Sequence, residues 1–358
     1  MTDRPLRIGI AGANAERAWA KDAHVPALAA IPGLEIHAVS AREQHLADAA
    51  ATAFGAAKAY GDTLAMVRDP EIDIVAVTCK VPEHRAIVLA ALEAGKHLFC
   101  EWPLGRDYAE AVEMTEAAEK AGVHAAVGLQ GGNALAVRHA GKLVRDGAIG
   151  RPMNLRVVSP TGGWGPVAPP SYAYLQDKRN GATLATIGGG HTLAAVEVAV
   201  GPYRQVTARN TILRKHVQIA GTDEVIERTC HDHMVIVGEH ESGCISSVEI
   251  TGGVVAAFVF ELRGDTGTLE INGTHPGGYQ CGDLVVSTSV DAPPQPASPC
   301  SGLSGAAINV AQIYAQLEAD IRTGSRTVPD FATALRLTRL LDTIDAASEQ
   351  GRTLDVTY

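Results

Sequence analysis

Residues 6–28 read LRIGIAGANAERAWAKDAHVPAL. The first six, Leu6 to Ala11, form a short apolar run suited to a buried strand. Gly12-Ala13-Asn14-Ala15 then makes a tight turn, and a helix is expected after it. A strand that turns sharply into a helix aims the helix's free N-terminal amides at whatever lies above the turn. With the helix dipole behind them, those amides form a site for a phosphate or pyrophosphate. A GxGxxG fingerprint needs glycine at 12, 14 and 17, where this chain has Gly12, Asn14 and Arg17. Gly12 can make the turn, and Asn14 is the non-glycine type that best tolerates left-handed backbone. Arg17 cannot serve as the third glycine, although Ala18 beside it is small. On this motif alone, an ordinary strand–turn–helix is as good a reading as a dinucleotide site.

Length and composition narrow the classes. The chain has 358 residues, enough for a sizeable core and about two domains. With 46% hydrophobic and 20% charged residues it reads as a folded globular protein. A formal net charge of −10, with no long basic run, argues against a nucleic-acid partner. The opening MTDRPLRIG lacks a basic region followed by an apolar one, so no signal peptide is expected, and no apolar stretch reaches membrane-spanning length, so no membrane partner is expected. Cys79, Cys100, Cys230, Cys244, Cys281 and Cys300 form no CxxC pair and read as reduced thiols of a cytoplasmic protein.

Beyond the turn, strands and helices alternate. Strands are expected at Leu34–Val39, Ile72–Thr78, Lys96–Cys100 and His124–Leu129. Helices are expected at Ala47–Phe54, up to Ala94 before Gly95, and at Tyr108–Ala121 before Gly122. This alternation implies a doubly wound parallel sheet whose ligand-facing residues lie at the strands' carboxyl ends. Those ends are Gly12, Ser40, Thr78, Glu101 and Gln130. An NAD-binding fold places an Asp or Glu after its second strand for the ribose 2′-hydroxyl. Here Ser40 and Arg42 stand instead, and a guanidinium suits a 2′-phosphate, so NADP is expected before NAD.

Past residue 130 the pattern changes. A helix over Ala134–Asp146 is followed mostly by expected strands: Met153–Val158, Gln205–Leu213, His233–Gly238, Gly243–Ile250, Val254–Leu262, Thr268–Ile271 and Leu284–Ser289. Their period-2 alternation between glycine turns predicts an open sheet. A helix behind a glycine loop is expected within Thr183–Val200, and Ile308–Thr323 and Phe331–Glu349 close the chain as helices. The fold class is α/β. A Rossmann domain over 1–130 precedes an α+β domain over 131–358 with a large open, mostly antiparallel sheet.

Several motifs in order resemble one family, the Gfo/Idh/MocA oxidoreductases, and within it the Gal80-like branch. They are the turn segment GANAERAWAKDAHVPAL, Lys80-Val-Pro-Glu-His84, Cys100-Glu-Trp-Pro103, Asp232-His-Met-Val-Ile-Val237 with Glu241-Ser-Gly243, and Val328-Pro-Asp-Phe331. The resemblance covers essentially the whole chain. Most enzymes of the family carry Glu-Lys-Pro after the fifth strand, with the Lys on nicotinamide and substrate; here Trp102 replaces it. The family's Asp-x-Gly-x-His motif, with a later Asp, appears as Thr186-Ile-Gly-Gly-Gly-His191. The His is kept, while Thr186 and Ala194 or Ala195 stand for the carboxylates.

The resemblance implies a bound NAD(P). Gly12, Asn14 and Ala15 would hold the pyrophosphate, and Ser40 and Arg42 the adenosine ribose end. Thr78, Lys80, His84, Glu101 and Gln130 would line the nicotinamide side. It also implies hydride transfer to or from a hydroxyl or carbonyl carbon of a sugar, cyclitol or similar small polar ring, with His191 as acid/base. A homodimer or homotetramer through the second domain's sheet is implied as in relatives. Two alternatives stand beside the dehydrogenase. One is a dinucleotide-binding regulator without turnover that docks on a partner protein. The other is an NADPH-dependent imine or alkene reductase.

Further residues have two readings each. Trp102 shapes the substrate pocket or fills core. Lys80 and Lys178 are the lysines best placed to supply an ammonium, or are plain surface lysines. Tyr174 and Asn180 share the loop of Lys178 and are expected substrate contacts. Cys230-His231-Asp232-His233, with His240, invites a metal reading. Two His one strand step apart without a third ligand make a weak site, so no metal is expected.

Overall fold

The computed structural model describes residues 4–16, 19–298, 300 and 302–358. Arg17 and Ala18, weighed above for the third glycine, lie outside the described residues. The chain divides into two compact units, Met1–Leu129 with Pro299–Leu335 and Gln130–Ser298 with Arg336–Tyr358. The boundary expected near 130 is therefore only the first crossing. The helix Ala306–Thr323, assigned from the sequence to the second domain, belongs to the first unit.

The first unit is a six-stranded parallel sheet. Its strands are β1 (Leu6–Ala11), β2 (Leu34–Ser40), β3 (Lys58–Tyr60), β4 (Ile74–Val77), β5 (His97–Glu101) and β6 (Ala125–Gly128), in the order β3-β2-β1-β4-β5-β6. The central strand β4, Ile-Val-Ala-Val, is buried at every residue, as a parallel strand covered on both faces must be. β3 escaped the sequence pattern because its three residues are all half-buried and carry no apolar run. Past the residues that are not described, Trp19 is already helical, and a π turn at Ala20–His24 continues into α1 (Val25–Ala29). The helices α2 (Gln44–Phe54), α3 (Thr63–Val67), α4 (Val81–Glu93) and α5 (Tyr108–Ala121) follow.

The helix Ala306–Thr323 returns to this unit for an apolar reason. Its Val310, Ile313, Tyr314 and Leu317 are fully buried in one cluster with Ile8, Ile10, Ala20, Ala23 and Ala27. The turn after it is closed by Asp320, 1% exposed. The carboxylate accepts from the Ser325 hydroxyl at 2.6 Å, the Thr327 amide at 2.6 Å, the Thr327 hydroxyl at 2.9 Å and the Val328 amide at 2.9 Å.

In the second unit α6 (Gln130–Asn133) and α7 (Leu135–Arg145) lead into β7 (Pro152–Thr161), β8 (Val167–Ala168), then α8 (Gly190–Val200), β9 (Tyr203–Thr211), β10 (His216–Ile219) and β11 (Val225–Glu227). There follow β12 (His233–His240), β13 (Ile245–Gly252), β14 (Phe258–Gly264), β15 (Thr268–Gly273), β16 (Val285–Thr288) and β17 (Leu354–Asp355). Eight of them form one sheet, β16-β15-β14-β7-β13-β12-β9-β17, antiparallel throughout except for the parallel pair β7–β13. The two faces alternate as the sequence implied. Leu155, Val157, Ile236, Val248, Ile250, Phe260 and Leu262 are buried, while Arg156, Val235, Val237 and Ile245 are exposed. A separate small sheet, β11-β10-β8, was not expected, its strands being too short to show a period. Among the described residues no helix is long and apolar enough to cross a membrane.

Burial pulls the Asp320 carboxyl upward, but the donors from Ser325, Val328 and Thr327 outweigh it and hold its pKa below the ordinary Asp value. A depressed carboxyl contributes stability above its unfolded pKa and loses it as pH falls through the folded one. Asp320→Asn is expected to lower stability by about 2 kcal/mol at neutral pH. It should also flatten the loss of stability below pH ~4, both measured by urea unfolding across pH.

Candidate functional site

The carboxyl edge of the parallel sheet is braced strand to strand. Gly12 has φ +88°, and a Cβ there would lie 2.9 Å from the Cα and Cβ of Cys79. The turn therefore needs glycine for both its left-handed backbone and its clearance. The Gly12 and Ala13 amides donate to the Ser40 carbonyl at 3.2 and 2.9 Å. Asn14 does not take the left-handed backbone expected of it; the one non-glycine positive φ among the described residues is at Trp164. The Asn14 side chain instead accepts from the Glu16 amide at 3.0 Å, an Asx turn.

Several predicted cofactor contacts face inward. Ser40 is fully buried, its hydroxyl 2.9 Å from that of Thr63. The Thr78 hydroxyl donates to the Ala11 carbonyl at 2.7 Å and ties β4's end to β1. His84 is 1% exposed, with Nδ1 at the Pro103 and Leu104 carbonyls (3.1 and 3.2 Å) and Nε2 at the Cys79 carbonyl (3.1 Å). Burial pushes its pKa down despite those carbonyls, and a neutral ring, with one N–H, donates to the carbonyls on one side only while it packs between the ends of β4 and β5. For these three side chains, bracing replaces the ligand contact that the sequence suggested. Ala15 is half-buried, and Lys80 is exposed at the N-cap of α4. Arg42, its side chain 76% exposed, lies 3.4 Å from Glu83. Trp102 is buried and precedes Pro103 through a cis peptide.

At the end of β5 the Glu101 carboxylate lies 2.8 Å from Nε2 of His24, and Nδ1 of His24 lies 2.8 Å from the Tyr314 hydroxyl. Sequence reasoning passed over both partners. His24 stands inside the opening stretch, but its neighbours there are apolar. Tyr314 is 290 positions away.

In the second unit the side chains gather around His191, 4% exposed at the start of α8. The Gly131 amide donates to its Nδ1 at 3.3 Å, and the Tyr279 hydroxyl donates to its carbonyl. An Nδ1 that accepts carries no proton, so the neutral ring has its hydrogen on Nε2. Gly131 is required here, because a Cβ would fall 2.5 Å from the Tyr279 hydroxyl oxygen and 2.7 Å from the His191 carbonyl oxygen. Gln130 is fully buried beside it in α6. Thr186, in the family's carboxylate position, is spent on a helix cap. Its hydroxyl accepts from the Thr183 amide at 2.8 Å, and the Thr183 hydroxyl accepts from the Thr186 amide at 3.2 Å. That is a reciprocal cap with Thr in place of Glu.

The loop of Tyr174, Lys178 and Asn180 is pinned by a residue the sequence did not flag. Fully buried Arg228 donates to Gln176 Oε1 at 2.9 Å, Asp232 Oδ2 at 2.7 Å and the Gly165 carbonyl at 2.6 Å. Asn180 donates to the Tyr174 carbonyl at 2.8 Å, and the Lys178 amide donates to the Thr229 hydroxyl at 3.0 Å. The Cys230–His240 group is dispersed. Cys230 bonds the Leu175 carbonyl, His233 lies 2.9 Å from Glu249, and His240 bridges the Gly201 carbonyl and Ser246. Elsewhere His37, Asp69 and Glu71 have metal-like spacing among the described residues, but the Lys58 ammonium sits on both carboxylates.

Residues 6–129 match the model of an oxidoreductase family with an NAD-binding Rossmann fold, and residues 136–273 match the C-terminal domain of Gal80p. The chain is 30% identical to dehydrogenase aclE of Aspergillus oryzae over 224 residues, 61% of this chain and 61% of that one. It is 26% identical to the galactose/lactose metabolism regulatory protein GAL80 of Kluyveromyces lactis over 308 residues, 76% of this chain and 65% of that one. The matches thus span less than two thirds of these two relatives' length. The apo structure of levoglucosan dehydrogenase superposes with a TM-score of 0.86 at 22% identity, covering 99% of each chain, which shows the shared fold. Sugar dehydrogenases and Gal80 regulators both stand among the relatives.

Gly12→Ala is expected to cost about 1–3 kcal/mol in backbone strain alone. It should also weaken any nicotinamide-dinucleotide binding, measured with NADH and NADPH by fluorescence alongside a melting curve.

Proposed function

We propose, from the match of residues 6–129 to the Gfo/Idh/MocA family's NAD-binding model and of residues 136–273 to the Gal80p C-terminal domain, that the chain is an NAD(P)-dependent enzyme preferring NADP. It moves a hydride to or from a hydroxyl or carbonyl carbon of a sugar, cyclitol or similar small polar ring. The cofactor supplies the hydride chemistry when bound; the protein binds it, orients it and handles the reacting oxygen. The preference for NADP is supported by Arg42 beyond β2, a strand that ends at Ser40 and not at an Asp or Glu. The exposed Arg42–Glu83 pair is worth about 0–1 kcal/mol, so a 2′-phosphate can take the guanidinium from it.

The observation that carries the enzyme reading is the ring of His191, fixed by Gly131 with its hydrogen on Nε2. This refines the acid/base role expected of it. A neutral Nε2–H cannot give up its proton without forming an imidazolate, but it can donate a hydrogen bond that polarises a carbonyl and steadies an alkoxide. Tyr174, Lys178 and Asn180 are proposed substrate contacts on the loop that Arg228 holds. A homodimer or homotetramer is proposed through the open face of the large sheet, where Val235, Val237, Ile245 and Val285 are exposed.

A second reading, a dinucleotide-binding regulator without turnover, is favoured by three substitutions together. Trp102 stands for the family's Lys, Thr186 closes a cap, and Ala194 and Ala195 bring no carboxylate. One sample separates the two readings. NADPH and NADH are titrated by fluorescence, and sugars, cyclitols, ketones and imines are then screened for absorbance change at the nicotinamide band. Binding with turnover supports the enzyme. Tight binding without turnover across the panel moves the conclusion to the regulator.

Arg42→Ala is expected to reduce NADPH affinity about tenfold relative to NADH, the loss of one charge-assisted phosphate contact. An unchanged ratio sinks the 2′-phosphate assignment. With a confirmed substrate, His191→Ala should lower kcat by roughly 10²–10³-fold. His191→Gln, which keeps a side-chain N–H, should recover part of that loss. Full turnover in the alanine variant removes His191 from the mechanism.

A further inference from the structure

We infer that the buried chain Tyr314–His24–Glu101 holds a fixed carboxylate at the nicotinamide end of the dinucleotide cradle and biases the protein toward the oxidised dinucleotide. The inference rests on the reading that the first unit binds NAD(P).

His24 is fully buried, and its ring has no room to turn. Phe99 meets it edge-on at 5.1 Å between centroids, Tyr314 meets it edge-on at 5.6 Å, and Phe99 and Tyr314 stack on each other at 4.5 Å. Both ring nitrogens have a partner at 2.8 Å, the Tyr314 hydroxyl on Nδ1 and Glu101 Oε1 on Nε2. Burial, and then the Glu101 charge, push the Tyr314 phenol well above its ordinary pKa, so it keeps its proton. With its proton kept, the Tyr314 hydroxyl can donate to Nδ1, which leaves the ring's hydrogen on Nε2 facing the Glu101 carboxylate. The chain has one direction, and its terminal acceptor is the carboxylate.

Glu101 is also braced from its other side. A Cβ on Gly128 would lie 2.9 Å from Oε2 and 3.0 Å from Cδ and Oε1, so glycine in β6 is what lets the carboxylate lie flat against that strand. Its side chain is 12% exposed, while Tyr314 is fully buried. The chain ends blind in the core and has no outlet through Tyr314. It is a brace that sets the place of the Glu101 carboxylate, and His24 is a positioning residue.

The sheet order puts that charge at the nicotinamide half. The pyrophosphate turn follows β1 and the ribose residues follow β2, so the other half of a dinucleotide falls over β4 and β5. Glu101 ends β5. An oxidised nicotinamide ring is a cation and a reduced one is neutral. A fixed anion in a partly buried edge therefore stabilises the oxidised form more.

The test is the ratio of dissociation constants for NADP+ and NADPH, measured by calorimetry on the full chain. Glu101→Gln, close in shape, is expected to weaken NADP+ about tenfold relative to NADPH. His24→Leu and Tyr314→Phe should move the ratio the same way. His24→Gln, which can accept from Tyr314 and donate to Glu101, should restore it. A ratio unmoved in Glu101→Gln overturns the inference, as does an equal loss of both forms in His24→Leu, the mark of a structural role alone. If His24→Leu does not fold, Glu101→Gln still decides. Wild-type protein that binds neither form overturns the parent reading and this inference together, a result distinct from bound dinucleotide with an unmoved ratio.

Discussion

The carboxyl edge of the parallel sheet depends on one close approach. The backbone of Cys79 passes Gly12 at a distance that leaves no space for a Cβ, and Gly12 itself holds φ +88°. From that crossing the bracing spreads outward. Ser40's carbonyl collects the Gly12 and Ala13 amides, Thr78 is bonded back to Ala11, and His84 lies between the Cys79 carbonyl and the turn after β5. Each of these residues stands where a ligand contact is expected; the Thr78 and His84 side chains are occupied with backbone, and the Ser40 hydroxyl with that of Thr63. The cradle is rigid because its polar groups are satisfied internally, and an edge of this kind presents a ligand with a preorganised shape at little further entropic cost.

The second unit shows the same economy around His191. Where the family pattern offers a carboxylate, Thr186 closes a helix cap, and the nearby alanines pack. What survives is an imidazole fixed by a backbone amide from α6, at a contact that tolerates only glycine at 131. A chain with a complete set of titrating groups shuttles protons readily. This one has an orienting donor and, at Glu101 in the first unit, a fixed anion.

Local pattern was sufficient wherever one short segment decides its own structure. β1 came from an apolar run, the span Tyr108–Ala121 from a helix ended by Gly122, and the large sheet's two faces from period-2 alternation. It failed where a partner lies far along the chain. Nothing near His24 announces Glu101 or Tyr314, which are 77 and 290 positions away. Nothing near Arg228 announces the loop it pins 52 positions upstream. The return of Ala306–Thr323 to the first unit was equally hidden, because it follows from where apolar side chains find burial.

The order of residues alone determined an α/β chain, a parallel sheet with a glycine turn, an open mixed sheet behind it and a family with one lysine and two carboxylates missing. These follow from periodicities and motifs written in contiguous stretches, where chain connectivity holds the relevant atoms together. Which polar side chains face a ligand and which brace the backbone was settled only on folding. Ser40, Thr78 and His84 turn inward because a buried donor or acceptor must be satisfied by whatever lies beside it. What lies beside it is set by packing between segments that the sequence keeps apart.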